Sequence, residues 1–143
     1  MAAQNAKTGM VIVYLLDTNI CIYIINKKPK NVTKKIESIN ISDIKLSSVT
    51  LAELEYGVSK SSNRKRNREA LLHFVSPFDI IDFDAQDAEF YGIIRTELES
   101  LGKVIGPYDM QIAAQALNRD YTLVTNNTKE FQRIKELKLE NWV

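Results

Sequence analysis

Six apolar or aromatic residues in a row, Val11-Ile12-Val13-Tyr14-Leu15-Leu16, run straight into Asp17-Thr18-Asn19. A stretch this short and this β-branched, with no apolar and polar alternation, is predicted to be a strand covered on both faces. That implies a parallel sheet sandwiched between helices. Such sheets collect their chemistry outside the carboxyl ends of the strands, so the Asp that closes the run is a candidate site residue. Asp17 or Thr18 can equally be the N-cap of the next helix. The run alone leaves both readings open.

A chain of 143 residues is long enough for one domain with its own core. With 19 Lys and Arg against 18 Asp and Glu, the formal charge of +1 excludes a global basic field and an acidic, disordered chain alike. A polyanionic partner must then be met by a local patch or a metal ion. Cys21 is the single cysteine and His73 the single histidine, so neither an internal disulfide nor a Cys/His zinc cluster can form. Any metal must be held by oxygen ligands. No secretory leader and no apolar run of about 18 residues is present, which predicts a soluble, cytoplasmic protein without membrane contact. Residues 1–9, MAAQNAKTG, carry no periodicity and precede a second methionine. They are read as a tail or expression remnant, and the fold is assigned to residues 10–143.

Beyond Asp17, the spacing of Ile20, Tyr23, Ile24 and Lys27 predicts a helix over residues 19–28, ended by Pro29, and a second short helix covers 31–39. Residues 44–49, IKLSSV, form a short strand that gives way to Thr50-Leu51-Ala52-Glu53. The T-x-x-E spacing is that of a capping box, which is the structural explanation of Glu53. From Lys60 to Arg68 five basic residues fall within nine positions, ahead of a helix at 69–75. Arg64, Lys65 and Arg66 are therefore either a solvated helix start or a patch that grips phosphate. Residues 78–83 form the third strand. Asp84 then caps a helix over 85–101 with Ala88, Tyr91, Ile94, Leu98 and Leu101 on its inner face. Gly106-Pro107 starts another helix, with Asp109 in its first turn, where an acid also answers the helix dipole. Residues 121–125 form the fourth strand, Asn127 to Glu130 repeats capping spacing, and residues 137–143 form a last edge strand.

Strand and helix thus alternate, which predicts an α/β fold with a mainly parallel sheet of four to five strands between two helical layers. Asp17, Glu53, Asp109 and Asn127 each have a reading as a cap, yet all four fall at one edge of that sheet. If strands one and four are neighbours at the topological switch point, their crevice holds three carboxylates and an amide. Three close carboxylates raise one another's pKa unless a cation compensates, and magnesium or manganese meets that demand with hard oxygen ligands.

The segments LLDTN, AELEYG, GPYDMQIAAQA and VTNNTKEFQRI, in this order and spacing, resemble a VapC-type PIN-domain ribonuclease toxin from Met10 to the carboxyl end. The resemblance implies a three-layer PIN fold with strand order 3-2-1-4-5 and a metal-dependent endoribonuclease using Mg²⁺ or Mn²⁺. Asp17 and Asp109 would be the principal metal ligands, and Glu53 would complete the cluster and activate water. Asn127 stands where many members carry a fourth Asp, a departure that leaves a second metal position incompletely furnished. Thr18, Asn19, Thr125 and Asn126 are expected to orient the ligands. The resemblance further implies a homodimer and a VapB-type antitoxin that blocks the crevice and alone meets DNA. The substrate would be RNA, with initiator tRNA cut in its anticodon loop. A crevice of carboxylates also invites an inserted Arg from the antitoxin.

Two other classes share parts of this pattern. A magnesium phosphotransfer fold, of the haloacid-dehalogenase phosphatase or response-receiver kind, also places an Asp after strand one, but the phosphatase wants a second acid where Asn19 stands. A non-catalytic interaction module would use the acids only as caps.

Overall fold

The computed structural model describes residues 11–143, so the reading of residues 1–9 as a tail lies outside the described residues. Five strands form one sheet: β1 (Tyr14–Leu16), β2 (Ile44–Ser47), β3 (Asp79–Ile81), β4 (Thr122–Val124) and β5 (Lys138–Glu140). Their order is β3-β2-β1-β4-β5 and every pairing is parallel. Seven helices connect them: α1 (Thr18–Asn26), α2 (Lys30–Glu37), α3 (Ser48–Lys60), α4 (Arg64–Val75), α5 (Ala85–Ser100), α6 (Pro107–Arg119) and α7 (Thr128–Phe131).

The central strand is shorter than the apolar run that announces it. Ladder pairing with β2 and β4 reaches only from Tyr14 to Leu16, and Val11 is exposed. Within the paired segment the pleat sends Tyr14 and Leu16 into a core with α1 to α4, and Leu15 into a second core with α5, α6 and Phe131. Both faces are covered, as a strand without alternation requires. Trp142, beyond β5, stands edge-on to Tyr14 at 5.5 Å between ring centroids.

Several helix starts differ from their sequence reading. Helix α3 begins at Ser48, because Ser47 caps it by accepting the Val49 N–H at 2.9 Å. Thr50 and Glu53 therefore lie inside the helix, and no T-x-x-E capping box forms. Helix α4 starts at Arg64 rather than at 69, with Asn63 as its cap. The cap predicted at Asp84 is present and takes the form of a capping box with Asp87 as its partner. Helix α5 turns Asp87, Ile94 and Leu98 inward, while Ala88 and Leu101 of the predicted face are exposed. Leu101 falls outside the helix, at its C-cap, where the last turn opens to solvent.

Asp87 explains that shift of face. Its carboxylate is fully buried and accepts from the Asp84 N–H at 2.9 Å, from Asn118 at 2.9 Å and from Arg119 at 2.5 Å. The last two donors belong to the carboxyl-terminal end of α6. Ser47 donates to Gln115 of the same helix, and Gln115 donates to the Ile81 carbonyl at 3.3 Å. Helix α6 is thus fixed by buried polar bonds to α5, β2 and β3. Removing one partner of such a buried ion pair costs about 3–5 kcal/mol.

Candidate active site

Strands β1 and β4 are neighbours, and the connections run in opposite directions on either side of them, so this is the switch point of the sheet. Asp17 leaves β1 there, and its backbone N–H donates to the Val124 carbonyl at 3.0 Å. Asp17 is also the N-cap of α1, with Oδ1 accepting from the Ile20 N–H at 2.9 Å. The cap reading and the site reading hold together: the bond that starts the helix also aims the carboxylate.

Burial raises the pKa of Asp17, hydrogen bonds from the Thr125 hydroxyl and the Ile20 amide oppose the rise, and the Glu53 charge adds to it. Thr125 is buried at the end of β4 and its Oγ1 accepts the Asn127 N–H at 2.9 Å, which leaves its proton for Asp17. The Thr18 hydroxyl donates to Glu53 at 2.7 Å and so ties α3 to the start of α1.

Asp109 occupies the first turn of α6, behind Gly106 and Pro107. A helix N-terminus by itself lowers a carboxyl pKa. Here burial, then the charges of Asp17, Glu53 and Glu130, outweigh it and raise Asp109 from 3.8 to about 6. The three predicted acids therefore feel one another across α1, α3 and α6.

Glu130, which its sequence spacing presents as half of a capping box, is a fourth member of this group. Asn127 is the N-cap of α7, but its side chain makes no capping bond and no box forms there. Glu130 lies in the first turn of α7, and the available signal was an acid three residues beyond Asn127.

Of the residues expected to orient the ligands, Thr18 and Thr125 bond to Glu53 and Asp17. Asn126 bonds instead toward Tyr23 at 3.4 Å and Asn141 at 3.5 Å, and Asn19 is exposed with no hydrogen bond to an acid among the described residues. Arg64, Lys65 and Arg66 are exposed on the first turn of α4 and enter no ion pair among the described residues, whereas Arg68 pairs with Glu55.

The donors at the crevice are hard carboxylate oxygens, and no Lys or Arg forms a salt bridge to Asp17, Glu53 or Asp109 among the described residues. Such a charge set fits a divalent cation. No three Asp, Glu, His or Cys side chains among the described residues close into a metal cage. Magnesium does not need one: it is ordinarily held by one or two carboxylates, with waters and substrate phosphate filling the other positions.

A family model for the PIN domain matches residues 14–137. The chain belongs to the PIN-domain family. It is 50% identical over 131 residues to the ribonuclease VapC2 of Rickettsia felis, a match covering 91% of this chain and 98% of that protein. It is 44% identical over 129 residues to the tRNA(fMet)-specific endonuclease VapC of Shigella flexneri, covering 90% and 97%. Among solved structures, VapBC2 of Rickettsia felis bound to a DNA fragment from its promoter superposes with a TM-score of 0.86. That match has 48% identity and covers 92% of this chain and 100% of the other. Within the PIN-domain family, identity at this level over nearly the whole chain places the protein with the VapC ribonucleases. Neither the phosphotransfer fold nor the interaction module survives that placement. No described helix is long and apolar enough to cross a membrane.

Proposed function

We propose that this PIN-domain protein is a divalent-metal-dependent endoribonuclease, the toxin of a pair with a VapB-type antitoxin. The observation that carries the chemistry is the gathering at the switch point of Asp17 after β1, Asp109 in the first turn of α6 and Glu53, tied to the start of α1 through Thr18, with no Lys or Arg salt-bridged to them among the described residues. Asp17 and Asp109 would hold the cation, with the Glu130 charge adding to the negative field at Asp109. When bound, Mg²⁺ or Mn²⁺ supplies Lewis acidity to the scissile phosphate and lowers the pKa of the attacking water. Glu53, held by the Thr18 hydroxyl, accepts the proton of that water as it attacks phosphorus. The P–O bond to the leaving ribose oxygen breaks, and that oxygen is protonated from solvent. Thr125 and the α1 amide keep Asp17 oriented throughout.

The likeness to a tRNA(fMet)-specific endonuclease supports initiator tRNA, cut in its anticodon loop, as the substrate. The VapBC structures support the antitoxin partner, through which alone the toxin meets DNA. An Arg inserted by that partner would neutralise the crevice in place of the cation. Incubation of the purified protein with total RNA, followed by sequencing of the cut ends, tests the reading. Cleavage is expected in the anticodon loop of initiator tRNA with Mg²⁺ or Mn²⁺ and is lost on adding EDTA. Cleavage that persists in EDTA overturns the metal mechanism, and cuts confined to other RNAs overturn the substrate.

The basic run has a separate expected signature. Changing Arg64, Lys65 and Arg66 to Ala raises KM and flattens the logarithmic salt dependence by up to about two, at about 0.7 per phosphate contact on a single strand. Turnover at saturation stays nearly constant. An unchanged salt slope makes the run a solvated helix start only.

A further inference from the structure

The side of α3 that carries Glu53 continues to Tyr56 and Lys60, and with Thr18, Tyr108 and Gln111 it lines a cavity of about 740 Å³. Two of these residues are large aromatics left open to solvent, Tyr56 at 65% and Tyr108 at 57% exposure. Tyr108 has no ring or hydrogen-bond partner among the described residues. Tyr56 is met only by the Lys60 ammonium, 4.8 Å from its ring centroid. A single exposed aromatic needs no explanation. Here two share one cavity wall with Glu53, and Tyr108 directly precedes Asp109 in the chain.

The acids pose a problem that these rings can solve. A crevice carrying Asp17, Glu53, Asp109 and Glu130 repels the phosphates of the strand it must cut, so charge cannot supply the grip immediately beside it. Neutral aromatic faces can, because every nucleobase has a π face to stack on them. Lys60 is the cation at this wall, and the basic run begins with it.

Resting on the ribonuclease reading, we propose that Tyr108 and Tyr56 are stacking platforms for unpaired nucleobases flanking the scissile phosphate of single-stranded RNA, with Lys60 on a neighbouring phosphate. Two properties follow. Stacking tolerates any base at these positions, and a base pair, whose faces are already stacked in a helix, is refused. The enzyme would then select unpaired loops by this cavity, before any sequence is read.

The test uses the full chain and a short oligoribonucleotide spanning the mapped cut, either intact or with an abasic ribose beside the cut. Loss of one stacked base or one ring is expected to lower kcat/KM about 5- to 100-fold, mainly through KM. Tyr108→Ala on intact RNA and wild type on abasic RNA should each show it. Combining them should add little, since both remove the same contact. Tyr108→Phe, which keeps the ring, should recover most of the affinity, and Tyr56→Ala should be coupled to the base on the other side of the cut.

Full additivity of Tyr108→Ala with the abasic site, or KM values within about twofold of wild type for both Ala variants, overturns the subsite. So does loss of antitoxin capture by these variants while RNA cleavage is unchanged, which would make the cavity a protein-docking surface. Wild type that fails to cut intact RNA with either metal removes the ribonuclease reading itself. Cleavage by wild type that is indifferent to the tyrosines removes only the stacking.

Discussion

Asp17→Asn and Asp109→Asn are each expected to lower kcat/KM by about a thousandfold or more, because on the proposed mechanism either change removes a charged ligand of a cation whose Lewis acidity would supply several kcal/mol of transition-state stabilisation. Stability should move the other way. Asn is as good an N-cap as Asp, so the bond from the Ile20 amide survives at position 17. Both substitutions also remove a carboxylate whose pKa is raised by burial, and with it a charge that strains the metal-free fold at neutral pH. Single-turnover cleavage beside thermal melts in EDTA tests the pair of effects. Activity within tenfold of wild type, in variants that melt normally, would falsify the assignment of Asp17 and Asp109 as ligands.

A second large effect is expected on the acid side of neutrality. Folded Asp109 holds its proton more tightly than the unfolded chain does, with a pKa of about 6 against 3.8. Its stabilising contribution is complete below pH 3.8 and is lost as pH rises through about 6, and Asp17 shifts in the same direction. Metal-free wild type should therefore fall in stability relative to Asp109→Asn across that window, by on the order of 1 kcal/mol once solvent screening of this half-buried group is allowed for. In cleavage the proton competes with the cation for the same carboxylate. The rate should fall about tenfold per pH unit on the acid limb, and once metal saturates the site at neutral pH each further tenfold of metal should carry the limb about one unit lower. Rate profiles at two magnesium concentrations show whether it moves. A limb that stays in place assigns the controlling ionisation to another group.

The alternation of strand and helix and the placing of the acids at one sheet edge were legible because they depend on coarse properties: unalternating apolar runs, helical periodicity between them and the rule that strand ends face the site. The strand order that makes β1 and β4 neighbours came only with the family resemblance. What escaped the sequence depends on competition among neighbours. Ser47, Thr50 and Asp17 are all good caps, and only the backbone decides that Ser47 takes α3, leaving Thr50 buried inside the helix. Val11 looks like strand, but ladder partners for it do not extend that far along β2 and β4. Of the inner face read for α5, Tyr91, Ile94 and Leu98 hold, but Ala88 is exposed and Asp87, a charge, is buried instead through Asn118 and Arg119 on a distant helix. Glu130 was hidden by the opposite error, a local explanation as a cap partner that sufficed although no capping bond forms at Asn127.

The packing of Trp142 offers a built-in optical probe. It is the sole tryptophan, 5% exposed, edge-on to Tyr14 and with its indole N–H bonded to Glu140 at 2.8 Å. Selective excitation at the red edge of protein absorption therefore addresses one residue against the central strand, three positions before Asp17. Its emission should be blue-shifted in the native protein and move to the red when the last strand peels from β4 or the sheet opens. Because the indole contacts Tyr14 and Glu140 and none of the crevice acids, its signal should be insensitive to the chemistry. A silent variant with native emission has lost its reaction, and one with red emission has lost its sheet.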